Sequence, residues 1–84
     1  MNPEAVTVYT KPSCPQCDAT KRWLDKNGIT YSTIDVTESA EDLSYIKDEL
    51  GYIGAPVVLV DDDEGGFTHW SGYRPSMLEQ LVAN

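Results

Sequence analysis

The chain is organised around the stretch Thr10-Lys11-Pro12-Ser13-Cys14-Pro15-Gln16-Cys17. This stretch holds both cysteines of the 84-residue sequence, three positions apart. The run from residue 5 to residue 10 is apolar and β-branched, which predicts a buried strand before the cysteines. A run with helical periodicity follows to residue 27. Two thiols at a junction between a strand and a helix indicate a thiol–disulfide exchange site.

The helix after the cysteines has recognisable ends. Ser13 is predicted to be its N-cap, and Pro15 suits its first turn, where a missing N–H is tolerated. Gly28 is the residue expected just beyond its C-terminus. Cys17, Thr20 and Leu24 follow one another at spacings of three and four residues, which predicts that this face of the helix is buried.

The middle of the chain predicts a second strand and a second helix. Residues 31–36 are rich in β-branched and aromatic side chains, as strands are. Ser39, with Asp42 three residues later, resembles a helix-capping pair, and Gly51 is expected to end that helix. A stripe of Leu43, Ile46 and Leu50 would face the core.

The last part of the chain predicts a hairpin and a third helix. Residues 57–60 and 67–70 are expected to pair around an acidic turn, and a helix is expected over about 75–83, with Met77, Leu78, Leu81 and Val82 buried. The order β-α-β-α-β-β-α resembles the thioredoxin-like order in its shorter, glutaredoxin-type form. We therefore expect one α/β domain over residues 1–84, with a four-stranded mixed sheet and three helices.

The net charge argues against a nucleic-acid partner, and the hydropathy argues against a segment that spans a membrane. The net charge is −8, and it arises after residue 37, where two basic residues face ten acidic ones. Such a surface repels the phosphates of nucleic acids. The longest apolar run, residues 55–60, is far shorter than the ~20 residues that span a bilayer. Since residues 1–4 also lack the character of a signal peptide, we expect a cytoplasmic monomer.

The two cysteines are predicted to have different roles. The attacking species is a thiolate, whereas an unperturbed thiol with a pKa of about 8.5 is mostly protonated at neutral pH. The positive end of a helix favours a thiolate at Cys14, and Lys11 is a candidate to stabilise it further. Cys17 lies one turn deeper, so we expect Cys14 to be the nucleophile and Cys17 the resolving thiol.

Two other uses of the thiols stay open on these grounds. One is a stable structural disulfide, which a cytoplasmic location disfavours. The other is metal binding. Two cysteines and one histidine cannot complete a tetrahedral zinc site within one chain, so no bound metal or cofactor is expected. A copper carrier of the ferredoxin-like fold also places C-x-x-C after its first strand, and it is the alternative from a different functional class.

A proline far from the cysteines is predicted to join their site. Gly54-Ala55-Pro56 stands directly before the apolar strand, and an X-Pro bond can be cis at small cost. In thioredoxin-like folds this position carries a cis-proline beside the C-x-x-C loop, where backbone polar groups meet an incoming peptide. We predict that the Ala55–Pro56 bond is cis and in van der Waals range of the cysteines. An ordinary strand-entry proline is the alternative.

Three segments together resemble the NrdH-redoxin family of glutaredoxin-like proteins. They are residues 8–17, residues 54–58 and the stretch His69-Trp70-Ser71-Gly72-Tyr73-Arg74-Pro75. The resemblance implies a dithiol carrier without a bound cofactor. Its partners would be NADPH-dependent thioredoxin reductase, as electron donor, and the large subunit of class Ib ribonucleotide reductase, as acceptor. A glutathione-dependent glutaredoxin or a general protein disulfide reductase is the alternative with the same chemistry.

The resemblance also implies roles for individual residues. Cys14 and Cys17 match the redox pair and Pro56 the cis-proline. A loop that borders the active site and takes part in partner recognition is matched by Trp70, Ser71, Gly72, Tyr73, Arg74 and Pro75. The sequence departs from the family in having Tyr73 for phenylalanine and Ser76 for an acidic residue. Packing against the sheet is the alternative role for Trp70 and Tyr73.

Overall fold

The computed structural model describes residues 5–61 and 66–82, which form one mixed sheet and three α-helices. In chain order the elements are β1 (Ala5–Thr10), α1 (Pro15–Lys26), β2 (Ser32–Asp35), α2 (Ala40–Ser44), β3 (Val57–Asp61), β4 (Phe67–Ser71) and α3 (Pro75–Leu78). A π-helical segment, Tyr45–Glu49, continues α2, and a 3-10 turn, Glu79–Leu81, continues α3. The predicted β-α-β-α-β-β-α order is confirmed.

The sheet has the strand order β2-β1-β3-β4. β1 runs parallel to β2 and antiparallel to β3, and β3 runs antiparallel to β4. The parallel pair needs a crossover, which α1 supplies, and the last two strands form a hairpin. This is the thioredoxin-like fold in its glutaredoxin form. A ferredoxin-like fold has the order β-α-β-β-α-β, so the copper-carrier alternative is wrong in its fold.

Alternating side chains of the central strands fill a core on each face of the sheet. On one face, Val8 of β1 lies opposite Val58 of β3, which lies opposite Trp70 of β4. Leu24 of α1 and Leu78 of α3 cover these side chains and are completely buried. The face of α1 that the periodicity predicted to be buried is therefore the buried one.

The opposite face is covered by α2 and its π-helical continuation. Ile46 is completely buried there among Tyr9, Val57 and Leu59 of the central strands. Burial, and to a lesser degree the nearby Tyr45 and acidic side chains, raises the pKa of the Tyr9 phenol. Tyr9 is consequently a neutral core residue at physiological pH.

The ends of the helices bear out some predictions and correct others. The N–H of Asp42 donates to the Ser39 hydroxyl at 3.2 Å, as the capping pair predicted. Gly28 follows α1 with a φ of 70°. The N-cap of α1 is Cys14 and not Ser13, whose φ of 57° is left-handed and takes it out of the capping conformation.

The last helix is shorter than predicted. Regular α-helix ends at Leu78, and the following 3-10 turn rotates the chain, so that Val82 is 49% exposed instead of buried. The centre of the predicted acidic turn, residues 62–65, and residue 83 of the predicted helix lie outside the described residues. Within the described residues no helix is long and apolar enough to cross a membrane.

Candidate active site

The two cysteines lie where β1 ends and α1 begins. Their sulfur atoms are joined in a disulfide, and their Cα atoms are 5.2 Å apart. The Sγ atom of Cys14 also accepts a hydrogen bond of 3.1 Å from the backbone N–H of Cys17. Cys14 is 6% exposed and Cys17 is completely buried. The sulfur predicted to attack is therefore the more accessible one, and it lies against an N–H group of the first helical turn.

The backbone leading to the cysteines explains this geometry. The left-handed φ of Ser13 turns the chain sharply out of the strand direction. Cys14 then takes the extended conformation of an N-cap, with φ −119° and ψ 98°, and Pro15 occupies the first helical position. Because Cys14 is the N-cap, its sulfur atom accepts the hydrogen bond that a serine or threonine hydroxyl would ordinarily accept at this position. The helix start thus acts directly on the reactive atom.

Lys11 is exposed on the loop before Cys14. Its ammonium group forms no ion pair within the described residues, where Lys21 and Asp18 make the one salt bridge, at 3.7 Å. Lys11 is therefore available to a thiolate or to a partner, and its stabilising role stays a prediction. A contact between Pro56 and the cysteines also stays a prediction.

The Ala55–Pro56 peptide bond is cis, as predicted. Pro56 is buried at the entrance to β3, and its carbonyl oxygen accepts a 2.8 Å hydrogen bond from the N–H of Gly72. This bond connects the proline segment to the loop after β4. Two of the three segments that the sequence singled out are thereby brought together across the β3–β4 pair.

A second hydrogen bond ties the same loop to the cysteines. The N–H of Tyr73 donates to Oε1 of Gln16 at 2.9 Å, across 57 residues of sequence. Gln16 lies between the two cysteines, and no local sequence pattern indicates a role for its side chain. Gly72 has a φ of 84°, and a Cβ atom added there would lie 3.2 Å from Gln16 Oε1. The positive φ favours glycine at this position, and a Cβ atom there would press on the glutamine oxygen.

Trp70 does not belong to the exposed loop. It is the fourth residue of β4, is 4% exposed and packs in the core that α1 and α3 cover. The packing alternative is therefore correct for the position of its side chain. Its indole N–H is buried and has no hydrogen-bond partner among the described residues. Trp70 therefore supports the end of β4, from which the loop containing Gly72 and Tyr73 continues.

The residues that follow Trp70 are more accessible. Ser71 and Gly72 are half-buried, Tyr73 is 36% exposed, and Arg74 and Pro75 are exposed. The carbonyl of Arg74 accepts from the N–H groups of Met77 and Leu78 at 3.0 Å, which makes Arg74 the N-cap of α3. Tyr73 and Arg74 are thus exposed residues of the segment that the Gln16 side chain anchors through a backbone hydrogen bond.

One exposed apolar residue beside the site was missed by the sequence-based predictions. Ile53 is 97% exposed and stands just before the Gly54-Ala55-Pro56 segment. Its neighbour Tyr52 is held in place, since the phenol oxygen lies 2.7 Å from Nδ1 of His69. An almost fully exposed isoleucine next to a tethered residue is suited to contact a partner. The sequence pattern did not predict this exposure, because a single isoleucine in a loop is also compatible with burial.

The contact between Gly72 and Gln16 leads to a stability prediction. We expect Gly72→Ala to destabilise the protein by about 1–2 kcal/mol through the left-handed φ, and by up to about 1 kcal/mol more through the displaced hydrogen bond. Gly51→Ala is the matched control, since Gly51 has the same φ of 84° but no atom within 4 Å of an added Cβ. Urea unfolding measures both variants.

A double-mutant cycle isolates the part of the destabilisation by Gly72→Ala that comes from the displaced hydrogen bond to Gln16. In a Gln16→Ala background, Gly72→Ala and Gly51→Ala should destabilise the protein equally. If Gly72→Ala is no more destabilising than Gly51→Ala in the wild-type background, Gln16 does not hold the loop.

The site as described offers sulfur chemistry and no cluster for a metal ion. Among residues 5–61 and 66–82, no group of three or more histidine, cysteine, aspartate or glutamate side chains is arranged to hold one. The Cys14–Cys17 disulfide is connected through Gln16 to the loop after β4, and the same loop is hydrogen-bonded to the carbonyl of Pro56.

Comparison with known proteins identifies this arrangement. The glutaredoxin family model matches residues 6–64. The glutaredoxin-like protein NrdH of Lactococcus lactis is 38% identical over 77 residues, which cover 92% of this chain and 99% of the relative. The Gene 56 protein of Mycobacterium phage D29 is 32% identical over 77 residues, covering 92% and 81%.

The solved structures agree. The fold is similar to that of NrdH-redoxin from Escherichia coli, a glutaredoxin-like protein with a thioredoxin-like activity profile, with a TM-score of 0.82 and 32% identity. The similarity covers 95% of this chain and 97% of that one. The resemblance suggested by the three sequence segments therefore extends over the whole fold, and the chain belongs to the NrdH-type, glutaredoxin-like redoxins of the glutaredoxin family.

Proposed function

We propose that this protein is a dithiol electron carrier, a thiol–disulfide oxidoreductase that passes electrons from NADPH-dependent thioredoxin reductase to the large subunit of class Ib ribonucleotide reductase. The observation that carries the chemistry is the Cys14–Cys17 disulfide at the first turn of α1, with the Cys17 N–H on Cys14 Sγ. Membership of the NrdH-type redoxins supports the choice of partners.

Reduction of an acceptor begins at Cys14. In the dithiol form, the Cys14 thiolate attacks one sulfur atom of the acceptor's disulfide, and the other acceptor sulfur leaves as a thiolate. The Cys17 N–H and the helix N-terminus stabilise the charge on Cys14 before the attack, since both place positive partial charge at Sγ. The product of this step is a mixed disulfide between Cys14 and the acceptor.

Cys17 completes the transfer. Its thiolate attacks Cys14 Sγ, so the mixed disulfide breaks, the acceptor leaves as a dithiol and the Cys14–Cys17 disulfide forms. Two electrons have then passed to the acceptor. Complete burial of Cys17 restricts it to this internal step. The reductase returns the pair to the dithiol by the same two exchanges in reverse. Because the cycle needs a reducing compartment, we place it in the cytoplasm.

The segments around the disulfide are suited to hold a partner's backbone and side chains. The cis peptide before Pro56 and the loop from Ser71 to Arg74 are joined by the bond from Gly72 N–H to the Pro56 carbonyl. Ile53, just before the proline segment, adds an exposed apolar side chain, and Tyr73, in the loop after β4, adds an exposed aromatic one. We propose that a partner's cysteine segment lies between them.

A comparison of two electron donors tests the proposed function. Insulin disulfide reduction is followed with NADPH and thioredoxin reductase, and in parallel with glutathione and glutathione reductase. We expect turnover with thioredoxin reductase and at most a slow reaction with glutathione. Turnover in the glutathione system alone would replace the proposal by a glutathione-dependent glutaredoxin.

The proposed acceptor is tested by reconstitution. Purified class Ib ribonucleotide reductase, thioredoxin reductase and NADPH should form deoxyribonucleotides only when this protein is added. The control is the protein with both cysteines changed to serine. If insulin is reduced but ribonucleotide reductase is not supported, the protein is a general protein disulfide reductase.

A further inference from the structure

A groove on the outer side of α1 is not used by the proposed redox chemistry. Its volume is about 430 Å³, and it is lined by Ala19, Arg22, Trp23, Lys26 and Tyr73. Four of these residues belong to α1, and the fifth belongs to the loop after β4. The groove therefore lies between the helix that carries the cysteines and the loop that borders them.

The groove is positive in a strongly negative protein. Arg22 and Lys26 are two of the six basic residues of a chain with a net charge of −8. They are one helical turn apart, so their side chains project along the same side of α1. Neither forms an ion pair within the described residues, where Lys21 takes the Asp18 carboxylate. Both charges are thus free to meet an anionic ligand.

The aromatic residues indicate that this ligand is a peptide segment and not a small inorganic anion. Trp23 is half-buried against the core, and Tyr73 is 36% exposed, so together they present flat apolar surface beside the two cations. Carboxylates of an extended peptide would reach the guanidinium and ammonium groups, while the adjoining side chains cover the rings.

The distance from the disulfide sets the register of such a peptide. Tyr73 is bonded through its N–H to Gln16, between the two cysteines, so the groove begins at the redox site. From Gln16 the helix rises about 9 Å to Arg22 and about 15 Å to Lys26, at 1.5 Å per residue. An extended chain covers these lengths in about three and about five residues, at ~3.3 Å per residue.

We propose that the groove binds an acidic segment of the partner protein, about three to five residues from the cysteine that Cys14 attacks. This inference rests on the proposed dithiol function and adds a specificity determinant to it. The acidic half of the surface repels such a segment from other directions, so charge orients the partner with its disulfide toward Cys14.

Two synthetic peptides test this inference. Each contains one intramolecular disulfide, followed at the third to fifth residues by glutamates in one peptide and by glutamines in the other. The reduced wild-type protein should react about three- to tenfold faster with the glutamate peptide at low salt, and this preference should shrink in 0.5 M NaCl. The readout is the second-order rate constant for disulfide loss.

Variants assign the preference to the groove. Arg22→Gln/Lys26→Gln should react equally with both peptides while keeping its rate with the glutamine peptide. Lys47→Glu is the matched control, because it also lowers the net charge by two, at an exposed position of the π-helical segment outside the groove. It should keep the preference.

The outcomes separate the two proposals. If the wild type reduces both peptides equally, or if the double variant keeps the preference, the groove does not bind an acidic segment and the dithiol function stands. If Lys47→Glu loses the preference as fully as the double variant, overall charge and not the groove is responsible. If neither peptide is reduced, the dithiol function fails, and the inference fails with it.

Discussion

Replacing Cys14 by serine should abolish disulfide reduction, lowering the rate by about a thousandfold or more, because a serine hydroxyl is not ionised at neutral pH. Cys17→Ser should behave differently. Its Cys14 thiolate can still attack, but nothing resolves the product, so one mixed disulfide per molecule should accumulate. Insulin reduction measures the first effect, and mass spectrometry under non-reducing conditions measures the second.

The division of roles rests on burial and on one hydrogen bond. Cys14 is the more exposed sulfur and lies on the Cys17 N–H, whereas Cys17 is completely enclosed. The matched control is the wild type kept reduced, because neither it nor the single variants contain the internal disulfide. All three should unfold at similar urea concentrations. Accumulation of a mixed disulfide by Cys14→Ser, and not by Cys17→Ser, would show that the nucleophile is Cys17.

Local sequence patterns predicted the fold well because each one has a local physical cause. The helical period of Cys17, Thr20 and Leu24 identified the buried face of α1, since side chains at those spacings must lie together. The capping pair at Ser39 likewise marked a helix start. These features depend on residues within one or two turns, so they can be recognised without knowing the rest of the chain.

Features that depend on the assembled fold were predicted less well. The left-handed φ of Ser13, and so the choice of Cys14 as N-cap, follows from how the chain leaves β1 and not from the residue type. The bond between Gln16 and Tyr73 spans 57 residues and leaves no local pattern. The π-helical segment Tyr45–Glu49 also went unpredicted, since its residues match an ordinary helical period.

The candidate site shows the same division. Cys14 and Cys17 were predicted from residue type and spacing, and the cis bond before Pro56 from the likeness to thioredoxin-like folds. The disulfide and the cis bond agree with these predictions, whereas the N-cap is Cys14 and not Ser13. Trp70 was predicted both to end the strand over residues 67–70 and, from the family resemblance, to begin the loop that borders the active site. A strand residue and a loop residue look alike at that boundary, and only the register opposite Val58 shows that its side chain points into the core.

Trp70→Ala should therefore be the most destabilising single change discussed, at about 3–5 kcal/mol, because it removes a large side chain from a closely packed core. For a small domain this is a large part of the total stability, which is of order 5–15 kcal/mol. Trp70→Phe should cost much less, about 1–2 kcal/mol. It keeps most of the ring volume and removes a buried indole N–H that has no partner among the described residues.

Tyr73→Ala is the contrasting variant, at an exposed position of the loop that follows β4. With 36% of its surface exposed, Tyr73 should contribute less than about 1 kcal/mol to folding, but its loss should slow reduction by thioredoxin reductase. For all three variants, urea unfolding measures how much the side chain stabilises the fold, and reductase kinetics measure how much it contributes to contact with the partner. Suppose Trp70→Ala loses less than about 1 kcal/mol and still impairs coupling while folded. Its indole would then act at the partner surface, and the assignment of Trp70 to the core would be wrong.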